Sequence, residues 1–206
     1  MSGWVNINLV SVLPLYEVAG MNSPEPEDLY TQRYLRDYTE LSQPELEDPV
    51  RYFDKLLSGL DSNNSLLIFG SGHSYNVNKI YDNNKFSSIV AVDFVQAAKK
   101  GLYKEIDFYD TNILERDLPV VSDYIFSSHT LEHFYKQELF DIVLPRLLKA
   151  ARKAVIVLVP YADNWAGEPN HKCRFYENDE FAAKATKYKI IRNGVEIAYW
   201  FEGGLN

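Results

Sequence analysis

The pattern of hydrophobic and polar positions changes near residue 65 of the 206-residue chain. Before that point, apolar side chains recur at helical intervals over residues 29–41. A second helix is predicted to start after Ser42, with Pro44 near its first turn, and to end near Gly59. Its apolar face would include Val50, Phe53, Leu56 and Leu57. After residue 65, short apolar runs alternate with polar, helix-like segments. The change predicts an N-terminal helical extension or lid over residues 1–60 and a core over residues 61–206.

Seven runs in the core have the length and composition of strands. Five of them, at 66–69, 89–92, 106–109, 124–126 and 154–159, are almost continuously apolar, which is typical of strands buried in a parallel sheet. The last two, 188–192 and 195–202, flank Asn193-Gly194, a strong hairpin signal. Helix-like segments lie at 95–101 and 135–152, the second broken or kinked at Pro145. The pattern predicts an α/β fold that ends in an antiparallel hairpin.

Composition and charge narrow the classes of function. The chain has 21 basic and 29 acidic residues, a formal net charge of −8, and ten of the acids lie in residues 1–60. A net-negative chain without a basic tract disfavours nucleic acid as a partner. The single Cys173 excludes an internal disulfide and any multi-cysteine zinc site. We find no apolar run long enough for a bilayer and no secretory signal, so we expect a cytoplasmic protein with no membrane association.

A glycine-rich turn follows the first core strand and is the first candidate for chemistry. The run Phe69-Gly70-Ser71-Gly72 leaves this strand, and glycines allow a backbone to turn sharply and approach a ligand. The next strand ends in Asp93, twenty-one residues after Gly72, where a carboxylate can accept both hydroxyl hydrogens of a ribose. This order predicts a nucleoside-type cofactor. The alternative is an ordinary turn followed by an exposed aspartate.

The order of motifs from Ser65 to the C-terminus resembles the class I S-adenosylmethionine (SAM)-dependent methyltransferases. Residues 69–74 match that family's first motif, with Ser74 in the third glycine position and Ile68 where an acid is usual. Asp93 matches the ribose-binding acid, residues 106–110 the third strand, and residues 122–134 the fourth strand and its turn. The resemblance implies a Rossmann-like, seven-stranded, mostly parallel sheet with helices on both faces and a C-terminal antiparallel hairpin.

The resemblance also implies a cofactor, S-adenosyl-L-methionine, and methyl transfer to oxygen or nitrogen of a small-molecule or glycan acceptor. The residues that it places around the cofactor are Phe69, Gly70, Ser71, Gly72, Asp93, Phe94, Asp110, Thr111 and Ser128. No metal is part of this interpretation. The tyrosine-rich N-terminal helices are expected to close over the site or, equally, to form the surface of a homo-oligomer.

Two histidines are candidate catalytic residues. His129 follows the fourth strand, and His171 lies in a loop rich in glycine, proline and asparagine after the fifth. Because ligands bind over the carboxyl ends of parallel strands, this loop is expected to face the site. His171 would serve as general base if the acceptor is a hydroxyl, since its ordinary pKa lies near neutrality. The alternative is that His171 only hydrogen-bonds the loop to the sheet.

Two rival functions remain open from the residues alone. His129-Thr130-Leu131-Glu132-His133 is a literal His-x-x-Glu-His, which on a helix would place both histidines on one face as zinc ligands of a hydrolase. A catalytically inactive binding or regulatory protein on a methyltransferase fold is the other rival. Ile68 and Ser74, which depart from the first motif, make it plausible.

Overall fold

The computed structural model describes residues 5–6, 53, 56–61, 63–72, 74–83, 86–162, 171–191 and 194–204. Eight strands within these ranges form a single sheet: β1 (Val5–Asn6), β2 (Ser65–Phe69), β3 (Ser88–Asp93), β4 (Asp107–Asp110), β5 (Ser122–Ser128), β6 (Ala151–Pro160), β7 (Lys187–Ile191) and β8 (Glu196–Glu202). Across the sheet they follow the order β1-β7-β8-β6-β5-β2-β3-β4. Among the helices of these residues, none combines the length and apolar character that crossing a membrane requires.

Most strands of the sheet are parallel. β2 pairs in parallel with β3 and β5, β3 with β4, and β5 with β6. β8 runs antiparallel to both of its neighbours, β6 and β7, and so forms the hairpin predicted around Asn193-Gly194. The seven predicted strands and the C-terminal hairpin are therefore confirmed. The two-residue β1, antiparallel to β7, extends the edge and is too short for any pattern to predict.

The helical segments differ in detail from the predicted ones. α1 (Ser74–Asn83) follows the glycine turn, and a single 3₁₀ turn at Gln96–Lys99 replaces the longer helix predicted at 95–101. The helix predicted over 135–152 consists of α2 (Lys136–Glu138), a π-helical segment at Leu139–Val143 and α3 (Leu144–Ala150). It ends before Ala151 because β6 begins there. The π-helical segment directly precedes the turn that contains Pro145, which cannot donate a backbone hydrogen bond. α4 (Glu180–Lys184) leads into β7.

The core has two layers, one on each face of the sheet. In β2, Leu67 and Phe69 point to the layer that packs against α3, whereas Leu66 and Ile68 point to the layer that contains Val77 of α1. This alternation follows from the two-residue period of a strand. Near-continuous apolar strands are therefore needed, because both faces are covered by helices.

The segment predicted as the second N-terminal helix contributes to the α1 layer. Phe53, Leu56 and Leu57 are helical and buried, and the Phe53 ring meets that of Phe126 edge to face at 5.3 Å between centroids. The helix predicted at 29–41 and Val50 lie outside the described residues. The extension over residues 1–60 and its role as a lid thus stay predictions.

Candidate functional site

Parallel pairing brings the predicted site residues to one edge of the sheet. Phe69, the last residue of β2, is in register with Val92 of β3 and Ser127 of β5. Asp93, at the end of β3, is in register with Asp110 at the end of β4. The turns after these four strands therefore lie side by side, and they carry the predicted cofactor residues 69–72, 93–94, 110–111 and 128.

The turn after β2 requires glycine at its first position. Gly70 and Gly72 both have positive φ, of 67° and 53°, a region that other residues rarely adopt. The N–H groups of Gly70 and Ser71 both donate to the Val92 carbonyl, at 2.9 and 3.1 Å. A Cβ added to Gly70 would lie only 2.1 Å from the Thr130 Oγ1. The chain therefore passes too close to the turn after β5 for any side chain at position 70.

Asp93 holds this turn in place. Its buried carboxylate accepts hydrogen bonds from the Gly72 N–H at 2.9 Å and from the Val95 N–H at 3.0 Å. Burial raises the pKa of Asp93, and the backbone donors partly offset that effect. Its carbonyl accepts from the Thr111 N–H at 2.8 Å, which links the turn after β4 to the same residue. Asp93 is thus a hub for three of the four turns.

The groups around this hub fit a nucleoside with an amino-acid tail. The Ser71 hydroxyl is buried and has no hydrogen-bond partner among the described residues, so it is available to a polar ligand. Phe94 leaves 36% of its apolar surface exposed at the strand end, where it offers a flat surface to a base. Asp110 is exposed and adds a second carboxylate at the same edge. His73, the remaining residue of the predicted turn, lies outside the described residues.

His129, directly after β5, contacts two buried carboxylates, and one of them, Glu196, belongs to β8. Its Nε2 lies 2.8 Å from the Glu196 Oε1, and its Nδ1 lies 3.5 Å from the Glu132 Oε1. The His129 ring is 34% exposed, whereas each carboxylate is only 1% exposed. Burial by itself would lower the pKa of His129, but its interactions with the Glu132 and Glu196 carboxylates outweigh that effect and raise the pKa to about 9. The ring therefore carries a proton at neutral pH in this arrangement.

The His-x-x-Glu-His motif does not form the helix that a zinc hydrolase of this type would use. His129 has a positive φ of 50° directly after β5, and the motif continues as one 3₁₀ turn at Leu131–His133. The expected pairing of His129 and His133 on one helix face is therefore wrong. His133 instead lies beside His171, with ring centroids 5.3 Å apart.

The loop after β6 returns to this turn through its backbone. The Lys172 and Cys173 N–H groups both donate to the Glu132 carbonyl, at 2.6 and 3.1 Å. Residues 163–170 of this loop lie outside the described residues. Burial raises the pKa of Cys173 to about 12, so its thiol is protonated and is no activated nucleophile.

Three residues of the site were not assigned from the sequence. Glu196 pairs with His129 although the two residues are 67 positions apart in the sequence, and no local pattern predicts such a contact. Thr130 excludes a side chain at position 70, but it does so from the turn after β5, far from Gly70 in the sequence. Glu132 belongs to a motif that the sequence does show, but its buried position follows from the 3₁₀ turn rather than from the predicted helix.

Comparison with solved structures supports the fold predicted from the sequence. No protein-family model and no curated protein matches the sequence. The N-methyltransferase NodS from Bradyrhizobium japonicum, solved with S-adenosyl-L-homocysteine, superposes with a TM-score of 0.63 at 12% identity, over 84% of this chain and 98% of that one. Magnesium protoporphyrin IX methyltransferase from Synechocystis gives 0.60 at 10% identity, over 86% and 97% of the chains.

A third structure is similar over still more of this chain. The 1,6-didemethyltoxoflavin-N1-methyltransferase from Burkholderia thailandensis, solved with its substrate and S-adenosylhomocysteine, gives a TM-score of 0.59 at 14% identity. The similarity covers 91% of this chain and 93% of that one. The protein therefore has the Rossmann-like fold of class I SAM-dependent methyltransferases, as the motifs of its sequence imply.

Proposed function

We propose that this protein is a SAM-dependent methyltransferase that modifies oxygen or nitrogen of a small-molecule or glycan acceptor. The turn at residues 70–72 carries the proposal. Its two glycines have positive φ, its Ser71 hydroxyl is buried without a described partner, and Asp93 binds its last N–H. The turn lies at the carboxyl edge of a sheet whose solved counterparts include methyltransferases bound to S-adenosylhomocysteine. The acceptors named for two of those proteins, magnesium protoporphyrin IX and 1,6-didemethyltoxoflavin, are small molecules, which supports the same class here.

Each part of the cofactor has a suitable group at this edge. We assign Phe69, Gly70, Ser71 and Gly72 to the methionine end and Asp93 to the ribose. Phe94, Asp110 and Thr111 would border the adenine, and Ser128 would lie near the transfer centre. SAM supplies a methyl group that its sulfonium makes electrophilic, and the acceptor attacks it in line. The protein therefore needs chiefly to align donor and acceptor.

The two candidate histidines would have different tasks. His129 is held between Glu132 and Glu196 with a raised pKa, which supports a role as a fixed cation and hydrogen-bond donor beside the acceptor rather than as a base. His171 is half-buried beside His133 and is the group that we expect to take a proton from a hydroxyl acceptor. An amine acceptor that is already neutral would not need such a base.

A binding protein without turnover is the second candidate, and one observation favours it. Each oxygen of Asp93 already accepts a backbone N–H, so fewer lone pairs remain for a ribose than on a fully free carboxylate. Ile68 also stands where the family usually has an acid. Cofactor binding and turnover must therefore be measured separately.

Calorimetric titration of the full chain with S-adenosylhomocysteine tests the proposal. Asp93→Asn keeps the volume of the side chain but loses its charge, and it should weaken binding at least tenfold, about 1.4 kcal/mol. Asp107→Asn is the matched control, because Asp107 is exposed at the opposite end of β4 and should bind as the unmodified chain does. Absence of binding at millimolar ligand in folded protein would refute the proposal. Binding without formation of S-adenosylhomocysteine from SAM across a panel of amines, phenols and sugars would favour the second candidate.

A further inference from the structure

A cluster of three potential metal ligands lies where the turn after β5 meets the loop after β6. Glu132, His133 and His171 each offer one ligand atom, and these atoms all lie within 4.8 Å of one another. Glu132 is buried and both histidines are half-buried, so the cluster has one closed side and one accessible side. None of the proposed cofactor contacts involves these three residues.

The main chain sets the spacing of the cluster. Glu132 and His133 are neighbours in the 3₁₀ turn at Leu131–His133. The Glu132 carbonyl accepts the N–H groups of Lys172 and Cys173, which brings the adjacent His171 to the same turn. Because backbone hydrogen bonds hold both segments, the three side chains converge without any ion to gather them. Such preorganisation is what a binding site for a metal requires.

The Glu132 carboxylate gives an independent reason to expect a ligand. Within the described part of the chain, neither of its oxygens accepts a hydrogen bond, although the residue is 1% exposed. The His129 Nδ1 is 3.5 Å from Oε1, which is an ion-pair distance but longer than a well-formed hydrogen bond. A buried carboxylate that lacks such bonds is costly unless something else satisfies it. A cation bound at the cluster would do so.

We propose that Glu132, His133 and His171 bind a divalent transition-metal ion. One carboxylate oxygen and two imidazole nitrogens suit borderline divalent ions such as zinc, cobalt or iron. Three protein ligands leave at least one coordination position open, as in catalytic rather than structural sites. With the ion bound, His171 acts as a ligand in place of the base proposed above. If the proposed methyl transfer is also correct, an acceptor hydroxyl at the open position would lose its proton to solvent water more readily, a role that rests on the proposed function.

Cobalt(II) is the probe for the test, because its visible absorption reports coordination without any need for turnover. The full chain is freed of metal with a chelator and titrated with cobalt chloride. We expect one equivalent to bind, and His171→Ala, His133→Ala and Glu132→Gln each to weaken binding at least tenfold. Glu202→Gln is the matched control, since Glu202 is exposed at the end of β8 and should bind cobalt as the unmodified chain does.

Circular dichroism identifies variants that fail to fold. If Glu132→Gln does so, His171→Ala decides the result, because its half-exposed loop position makes it the least disruptive of the three. Absence of cobalt binding at a cobalt concentration of about 1 mM overturns the proposal. Unchanged affinity in folded His171→Ala overturns it too. S-adenosylhomocysteine titration of the same metal-free sample keeps the two proposals separable, since either ligand can bind while the other does not.

Discussion

Replacing Gly70 with alanine should destabilise the protein by more than backbone strain alone explains. The positive φ of 67° would cost an alanine about 1–2 kcal/mol. A Cβ at this position would also lie 2.1 Å from Oγ1, 2.4 Å from Cγ2 and 2.7 Å from Cβ of Thr130. Because the Thr130 Cβ is itself too close, rotation of that side chain cannot relieve the contact. The turns after β2 and β5 would have to separate.

The packing part of this cost can be isolated. Overpacking of this kind costs about 1–3 kcal/mol, so the total for Gly70→Ala is about 2–5 kcal/mol. Gly194 is the matched control, because its φ is also positive, at 88°, but an added Cβ would meet nothing within 4 Å. Gly194→Ala should therefore cost only the conformational part, about 1–2 kcal/mol.

Urea denaturation of the two variants measures the difference directly. Thr130→Gly in the Gly70→Ala background should recover the packing part, and the double-mutant cycle should give a coupling of about 1–3 kcal/mol. Equal destabilisation by Gly70→Ala and Gly194→Ala would refute the reasoning. So would additive effects at positions 70 and 130, because these would mean that the turns after β2 and β5 do not meet as described.

The remaining predictions concern the charged cluster of His129, Glu132 and Glu196 and the N-terminal cap of α4. The folded pKa of His129 is about 9, above its ordinary 6.5, so the stability contributed by its pairing with Glu132 and Glu196 is fully present below pH 6.5 and lost as pH rises towards 9. Urea midpoints of metal-free protein between pH 6 and 10 should show that loss. In His129→Asn, whose asparagine tolerates the positive φ, this pH dependence should be absent. A flat profile in the unmodified protein as well would contradict the prediction. Asp179→Ala should cost about 1 kcal/mol, because its carboxylate caps α4 through the Ala182 N–H at 2.7 Å and also binds the Tyr176 N–H at 2.8 Å. The exposed neighbour Asn178→Ala should cost much less, and equal thermal shifts for the two variants would count against the cap.

The strands of the core could be predicted from local pattern because burial on both faces leaves a signal in every residue. In β2 both the odd and the even positions are apolar, since each contacts one of the two layers. Strand order could not be read in this way. The pairing of β2 with both β3 and β5 depends on contacts between residues far apart in the chain.

Helices were harder to predict where another element competed for the same residues. Arg152 and Lys153 continue the helical spacing of basic residues after Pro145, yet both belong to β6. Pairing with β5 and β8 decides their conformation, and the Lys153 carbonyl also accepts the Gly203 N–H at 2.8 Å. Tertiary hydrogen bonds therefore override a local periodicity that, read alone, favours helix.

The glycine turn and the motif after β5 show where sequence reasoning about a site succeeds and where it fails. The turn at residues 70–72 is determined by a backbone requirement, which glycine reports directly in the sequence. The spacing of His129 and His133 has meaning only if the intervening residues form a helix, and the positive φ of His129 breaks that condition. The motif then divides, so that His129 turns towards Glu196 and His133 towards His171. One short stretch thus supplies an ion cluster that joins β5 to β8 and two ligands of the proposed metal site, and both functions depend on partners that lie 38 or more residues further along the chain.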